Sequence, residues 1–239
     1  MLIGGLQKTT LIDFPGRVAA TIFTVGCNFR CPFCHNKDLV TVNNFKKSSF
    51  EQVQEEELFR FLESRKGILD GVCITGGEPT IQKDIIDFCR KLKDLSLEVK
   101  LDTNGTRPGV IDKLLKDNLV DYIAMDVKND FDNYKKAVGL KTDIEKVVES
   151  LKKIIQAKIE FELRTTVVPG IHNKANLEKL AGQLKELSSR SFLVLQNFQP
   201  QNCLDDKLCS KEPFTSKELD KMLKAVKKIL PKSKIRGEG

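Results

Sequence analysis

The chain has 239 residues, with 40 Lys and Arg against 33 Asp and Glu for a formal charge of +7, and it is 40% hydrophobic and 31% charged. That balance excludes a disordered polymer, and the longest wholly apolar or small stretch, residues 18–25, is far short of the ~20 residues that cross a bilayer. No signal-peptide pattern opens the chain, so a cytoplasmic protein without membrane attachment is expected, and barrels of ~200 to 250 residues are routinely single domains, so residues 1–239 are expected to form one.

Residues 1–16 read as an extension ahead of the first strand, expected at 18–25. A helix at 50–65, opened by a capping box from Ser49 to Gln52, precedes a strand at 72–75. Helix 83–95, strand 99–102, helix 110–115, strand 122–127, helix 144–157, strand 161–168, helix 177–187 and strand 192–198 follow. From 200 onward come a polar loop and a helix at 216–230, opened by the box from Thr215 to Glu218. Six strands, each followed by a helix, imply right-handed βαβ units and a parallel sheet, either open and doubly wound or an incomplete barrel. In both, loops leaving the strands' C-terminal ends share one face. The least generic residues follow the first four strand ends: the cysteines, then Gly76 to Pro79, Asp102 to Gly105, and Asp126 to Lys128. One shared site is expected there.

Seven cysteines in a cytosolic chain point to metal or redox chemistry, since an odd number cannot pair completely. Cys27, Cys31 and Cys34 have three and then two intervening residues, so a compact loop can aim three thiolates at one centre. On a 4Fe-4S cubane, three thiolates leave one iron free for a substrate or cofactor. The alternative is a zinc site completed by a histidine; His35 is poorly placed beside Cys34, and His172 would come from far along the chain. Cys73 and Cys89 read as buried, inert thiols on apolar faces; Cys203 and Cys209 read as exposed thiols or a disulfide pair.

With Phe33 just before its last cysteine and Gly76-Gly77-Glu78-Pro79 after the second strand, the motif resembles the radical S-adenosylmethionine superfamily. Gly4-Gly5-Leu6-Gln7-Lys8, Ile12-Asp13-Phe14-Pro15-Gly16 and Cys34-His35-Asn36 resemble the activating proteins of glycyl radical enzymes. Within that group the chain resembles the compact activators of anaerobic ribonucleoside-triphosphate reductase, which lack an inserted ferredoxin-like domain. The resemblance implies an α/β fold, a partial (β/α)6 barrel, with a 4Fe-4S cluster on Cys27, Cys31 and Cys34 and S-adenosylmethionine on its open iron. Reductive cleavage of that cofactor would yield a 5'-deoxyadenosyl radical, which takes a hydrogen atom from a glycine of a partner enzyme. A flavodoxin or ferredoxin would supply the electron, and no side-chain acid, base or nucleophile is implied.

The same resemblance distributes roles along the strand ends. Gly76, Gly77 and Glu78 form the methionine amino site, where glycines admit the ligand and carbonyls or the carboxylate meet its ammonium. Asp102 and Thr103 contact the methionine end, and Asp126 and Lys128 the ribose and carboxylate; equivalents of Asp102, Thr103 and Asp126 in pyruvate formate-lyase activators also hold a monovalent cation. Phe33, His35 and Asn36 lie around the adenine. Arg164 and Val167-Val168-Pro169-Gly170 line the far wall, with a structural ion pair as the other reading of Arg164. Gln196-Asn197-Phe198-Gln199-Pro200 departs from the pyruvate formate-lyase activators, which place a histidine there. Rival functions are radical chemistry on a small molecule or RNA, such as deazapurine synthesis or tRNA modification, and a noncatalytic zinc module. Nucleic acid is not expected as a partner: the positive charge would suit phosphates, but two Tyr and no Trp form no recognition stripe.

Overall fold

The computed structural model describes residues 1–236. The strands form one eight-stranded sheet in sequence order: β1 Ile3–Thr10, β2 Ala19–Thr24, β3 Gly71–Gly76, β4 Glu98–Thr103, β5 Tyr122–Asp126, β6 Glu160–Val167, β7 Leu193–Asn197 and β8 Lys234–Ile235. From β2 to β8 every pairing is parallel, whereas β1 runs antiparallel to β2. β1 and β8 do not pair with each other, so the sheet curls into a single α/β domain whose barrel stays open along one side.

The six expected strands are β2 to β7, each matched to within a residue at either end. The two outer strands are additions. β1 lies inside the segment read as a plain extension; Gly4, Gly5, Gln7 and Lys8 give it little strand propensity, and pairing with β2 supplies what propensity lacks. β8 is two residues long and takes its place only because β7 offers an edge.

The helices are α1 Val42–Lys47, α2 Glu55–Ser64, α3 Ile85–Asp94, α4 Pro108–Lys116, α5 Tyr134–Val138, α6 Ile144–Gln156, α7 Lys174–Leu187 and α8 Ser216–Lys227. The box at Thr215 and Glu218 forms as expected. The box at Ser49 and Gln52 does not: the Val53 amide donates to the Ile3 carbonyl at 3.1 Å, which keeps that stretch extended, and α2 starts only at Glu55. Three consecutive acids, Glu55, Glu56 and Glu57, then suit the positive helix end. The short helices α1 and α5 carry too few turns to show a period in the sequence; α5 stops at Gly139, whose φ of 74° closes the left-handed turn.

Strand parity positions the site. Ala20, Ile22, Val72, Ile74, Val99, Leu101, Ile123, Met125 and Leu163 point outward into the main apolar core under the helices, each buried aliphatic side chain contributing about 1.5–3 kcal/mol. The alternating set, including Thr21, Cys73, Thr75, Asp102, Asp126 and Arg164, points inward and lines a cavity. At the strands' N-terminal ends a small cluster of Phe14, Ala19, Tyr122 and Ala124 plugs the barrel, with Phe14 edge-on to Tyr122 at 6.0 Å between centroids.

Candidate functional site

The cavity holds about 400 Å3, and its wall brings together the three cysteines, Phe33, His35, Asn36, Gly76, Gly77, Glu78, Asp102, Thr103, Asp126, Lys128 and Arg164, whereas the Val167-Val168-Pro169-Gly170 turn expected on the far wall does not line it, Val167 and Val168 being buried in the apolar core instead.

After β2 the chain turns at Gly26, with φ of 102°. The Gly26 and Cys27 amides donate to the carbonyls of Leu39 and Val40 at 2.7 and 2.9 Å, pinching residues 27–38 into a loop. Inside it, Arg30 Nη1 donates to the carbonyls of Cys27 and Phe29 at 2.7 and 2.6 Å, and the Cys34 amide donates to the Cys31 carbonyl at 3.1 Å. The Arg30 amide reaches the Val138 carbonyl at 2.9 Å, so the end of α5 backs the loop. Burial pushes the thiol of Cys27 up to about 11 and that of Cys31 to about 12, and raises Cys34 as well; Lys128 opposes this at all three. At neutral pH the thiols are therefore protonated unless a strong positive centre draws the protons off, and iron supplies such a centre.

The donor set fits a cubane. Among the described residues no three His, Cys, Asp or Glu side chains converge closely enough to hold a single metal ion, whereas a cubane engages each thiolate at a different corner. Neither histidine completes a zinc site. His35 Nδ1 lies 3.1 Å from the Gln201 carbonyl, and its ring stacks on Phe198. His172 accepts the Val168 amide at Nδ1 and sits 2.7 Å from the Lys128 carbonyl through Nε2, which makes it a neutral Nε2–H tautomer; burial pushes its pKa down to about 4.

The turn after β3 is clamped onto the cysteine loop: the Gly77 amide donates to the Thr24 carbonyl, and the Glu78 amide to the Gly26 carbonyl, both at 2.8 Å. A Cβ on Gly77 would lie 2.1 Å from the Gly26 carbonyl oxygen, so only glycine allows this approach. The Glu78 carboxylate is 1% exposed and turned inward. It accepts the Asn104 amide and the Thr103 hydroxyl, each at 2.7 Å, the Thr80 amide at 3.1 Å, and the Thr80 hydroxyl. Burial raises its pKa against the pull of these bonds. Glu78 thus holds the turns after β3 and β4 together, leaving the turn's backbone to face the cavity.

Opposite lies a lattice of charges. Arg164 donates through Nε to Asp126 at 2.9 Å and through Nη1 to Asp102 at 3.1 Å, Lys128 donates to Asp126 at 3.0 Å, and buried Lys100 bonds Asp102. Burial is the largest single influence and would raise both carboxyls, but Arg164 together with Lys100 at Asp102 and with Lys128 at Asp126 outweighs it and holds both below the usual range. Each carboxylate oxygen already accepts at least one donor, with Thr75 sharing Asp102, and the two Asp126 oxygens carry one each. Arg164 is both a wall residue and an ion-pair residue.

Phe33 is buried edge-on to His172, and Asn36 Nδ2 donates to the Gly76 carbonyl at 3.1 Å, while His35 is exposed. Cys73 requires correction: its thiol faces the cavity wall beside Lys100 Nζ at 3.6 Å, not an apolar face. Lys100 was missed, although its parity with Asp102 on β4 was a usable signal. Asn28 carried no sequence signal, and Asn104, which donates to it at 2.8 Å across the two loops, lay in the Asp102 to Gly105 segment but was given no role. Cys89 is buried as expected. Cys203 and Cys209 are free thiols, and of the pair expected to be exposed only Cys209 is.

Comparison with known proteins agrees with this geometry. A family model described as the Radical SAM superfamily matches residues 21–181. A Methanocaldococcus jannaschii protein named for glycyl-radical enzyme activation is 34% identical over 98% of this chain and 95% of its own length. The pyruvate formate-lyase-activating enzyme of Clostridium pasteurianum is 28% identical over 95% of this chain and 98% of its own. Among solved structures, TYW1 with a lysine-pyruvate adduct bound superposes with a TM-score of 0.62 at 17% identity, over 88% of this chain and 73% of that one, a likeness of fold alone.

Proposed function

This chain belongs to the radical S-adenosylmethionine superfamily, and from that premise we propose that it is an activase that installs a glycyl radical on anaerobic ribonucleoside-triphosphate reductase. The supporting observation is the gathering of motif residues from four successive strand ends around one cavity, in a barrel open along its side. Similarity to an activating enzyme over 98% of this chain and 95% of that protein supports the activase class.

Membership in the family implies a 4Fe-4S cluster and S-adenosylmethionine. When bound and reduced by a flavodoxin or ferredoxin, they supply the electron transfer that splits the sulfonium and gives the 5'-deoxyadenosyl radical that takes the glycine hydrogen. In this reading Cys27, Cys31 and Cys34 hold three irons. The carbonyls beside Gly76 and Gly77 receive the methionine ammonium, and Glu78 and Thr103 keep that turn in place. Lys128 offers its charge to the methionine carboxylate, and Asp126 accepts from the ribose hydroxyls. Phe33, His35 and Asn36 border the adenine, and Asp102 and Arg164 hold the far wall rigid. A monovalent cation at Asp102, Thr103 and Asp126 stays part of what the resemblance implies, beside Arg164, Lys100 and Lys128, which already pair with the two carboxylates.

A second target, pyruvate formate-lyase, is favoured by the full-length similarity to its activator. The segment Gln196-Asn197-Phe198-Gln199-Pro200, which puts Gln196 on the cavity wall and holds no histidine where the resemblance expects those activators to present one, weighs toward the reductase. The test is anaerobic incubation of the reduced, reconstituted protein with each enzyme. A glycyl doublet by electron paramagnetic resonance on the reductase is expected; a doublet only on pyruvate formate-lyase would move the target. Turnover of a deazapurine precursor or tRNA with neither doublet would refute the activase class.

A further inference from the structure

Glycine has no side chain, so an enzyme that acts on a glycine within a polypeptide must draw its binding energy from the residues on either side. The cofactor cavity offers a polar, charged wall. Beside it lies a second cavity of about 390 Å3, and the two share Phe23, His35 and Asn36, so they adjoin along those residues.

The second cavity differs in chemistry. Gly5 and Leu6 of β1, Leu39 and Phe50 form its apolar wall, and Phe50 stands 55% exposed at its mouth. Beyond the single bridge from Ile3 to Val53, the outer edge of β1 has no neighbouring strand, because β1 ends the sheet. Along Gly5 to Gln7, the part of β1 that lines the groove, its outward amides and carbonyls are a template for one more strand. Asp38 is the one acidic wall residue and makes no ion pair among the described residues.

We propose that this groove is a subsite for an extended segment of the protein substrate, which adds as a strand to the free edge of β1 and leads its glycine past Phe23 into the cofactor cavity. The inference rests on the activase reading above. The segment that fits alternates apolar side chains toward Leu6, Leu39 and Phe50 and carries a basic residue opposite Asp38. Backbone pairing with β1 supplies register, and the apolar contacts supply affinity.

The probe is a fluorescein-labelled peptide with valine alternating with threonine on both sides of one glycine, and a single lysine. Its binding to the reconstituted holoprotein with S-adenosylmethionine is read by anisotropy. Saturable binding is expected, weakened about tenfold to a hundredfold by Phe50→Asp, and equally by methylating alternate peptide nitrogens. Partner-independent cleavage of S-adenosylmethionine under dithionite reports whether the variant's fold and cofactor site persist. A peptide that fails to bind the unaltered protein, or binds Phe50→Asp and the N-methylated form as well as the parent pair, overturns the subsite while leaving the activase reading intact. Absence of that cleavage in the unaltered protein strikes the activase reading instead.

Discussion

Replacing Glu78 with glutamine exchanges one carboxylate oxygen for an amide nitrogen at nearly constant shape. One oxygen faces the Thr80 amide, the Thr80 hydroxyl and the Thr103 hydroxyl; the other faces the Asn104 amide at 2.7 Å. A glutamine keeps an acceptor on only one side. If its oxygen takes the crowded side, its NH2 meets the Asn104 N–H, donor against donor, at a fully buried position. An unsatisfied buried donor costs about 1–3 kcal/mol, and relief of the buried charge, whose pKa is already pushed up by burial, pulls the cost toward the lower figure. At about 2–4 °C per kcal/mol for a chain of this size, Tm should fall by about 2 to 12 °C. Thermal unfolding followed by circular dichroism measures this on the protein without cofactor, and calorimetric titration measures S-adenosylmethionine binding. Because Glu78 is assigned to hold the turn and not to touch the ligand, affinity should fall less than tenfold. An unchanged Tm with a hundredfold loss of affinity would refute that assignment.

Anaerobically reconstituted protein should bind about four irons per chain and lose the visible absorption of the cluster on Cys27→Ala, Cys31→Ala or Cys34→Ala, while Cys73→Ala keeps it; one zinc per chain would end the proposal. Asp126→Ala should weaken S-adenosylmethionine binding about tenfold to a hundredfold by titration, through about 1.5–3 kcal/mol of lost charge-assisted contacts, and unchanged binding would remove Asp126 from the site. His172 should make the protein acid-sensitive. Its folded pKa of about 4 lies below the unfolded value of ~6.5, so on acidification the unfolded chain takes the proton first, and stability that is complete above ~6.5 drops by about 2 kcal/mol at pH ~5. Denaturant titrations across that range should show this slope in the native chain and a flatter one in His172→Gln.

The parallel sheet was legible because β2 to β7 are apolar runs bounded by turn residues, and the amphipathic period of helices such as α6, with Val147, Leu151, Ile154 and Ile155 buried on one stripe, is a local property of the chain. The site was legible for a related reason. Its residues sit at strand ends, which a parallel sheet must bring to one face whatever its curvature, so the cavity wall followed once the strands were placed.

What residue order could not decide is how partners distant in the chain divide the work. Glu78 and Asp102 are both acids at strand ends, yet one is walled in by hydroxyls and amides and the other by Arg164 and Lys100; Thr80 and Lys100 are near in the chain, but Thr103 and Arg164 come from 25 and 62 positions away. Cys73 reads as an inert core thiol until the inward parity of β3 turns it to the cavity beside Lys100. Ser49 and Gln52 carry a local helix-start signal that lost to a backbone pairing between Val53 and Ile3, because the tertiary hydrogen bond held the chain extended where the cap needed a turn. The periodicity and turn signals of this protein determined its six central strands, and the family resemblance carried by its motifs implied the open barrel and the residues expected at its site. Only the folded chain decided their hydrogen-bond partners, their charge states and the apolar groove that β1 opens beside them, because each depends on contacts between segments that share no local sequence signal.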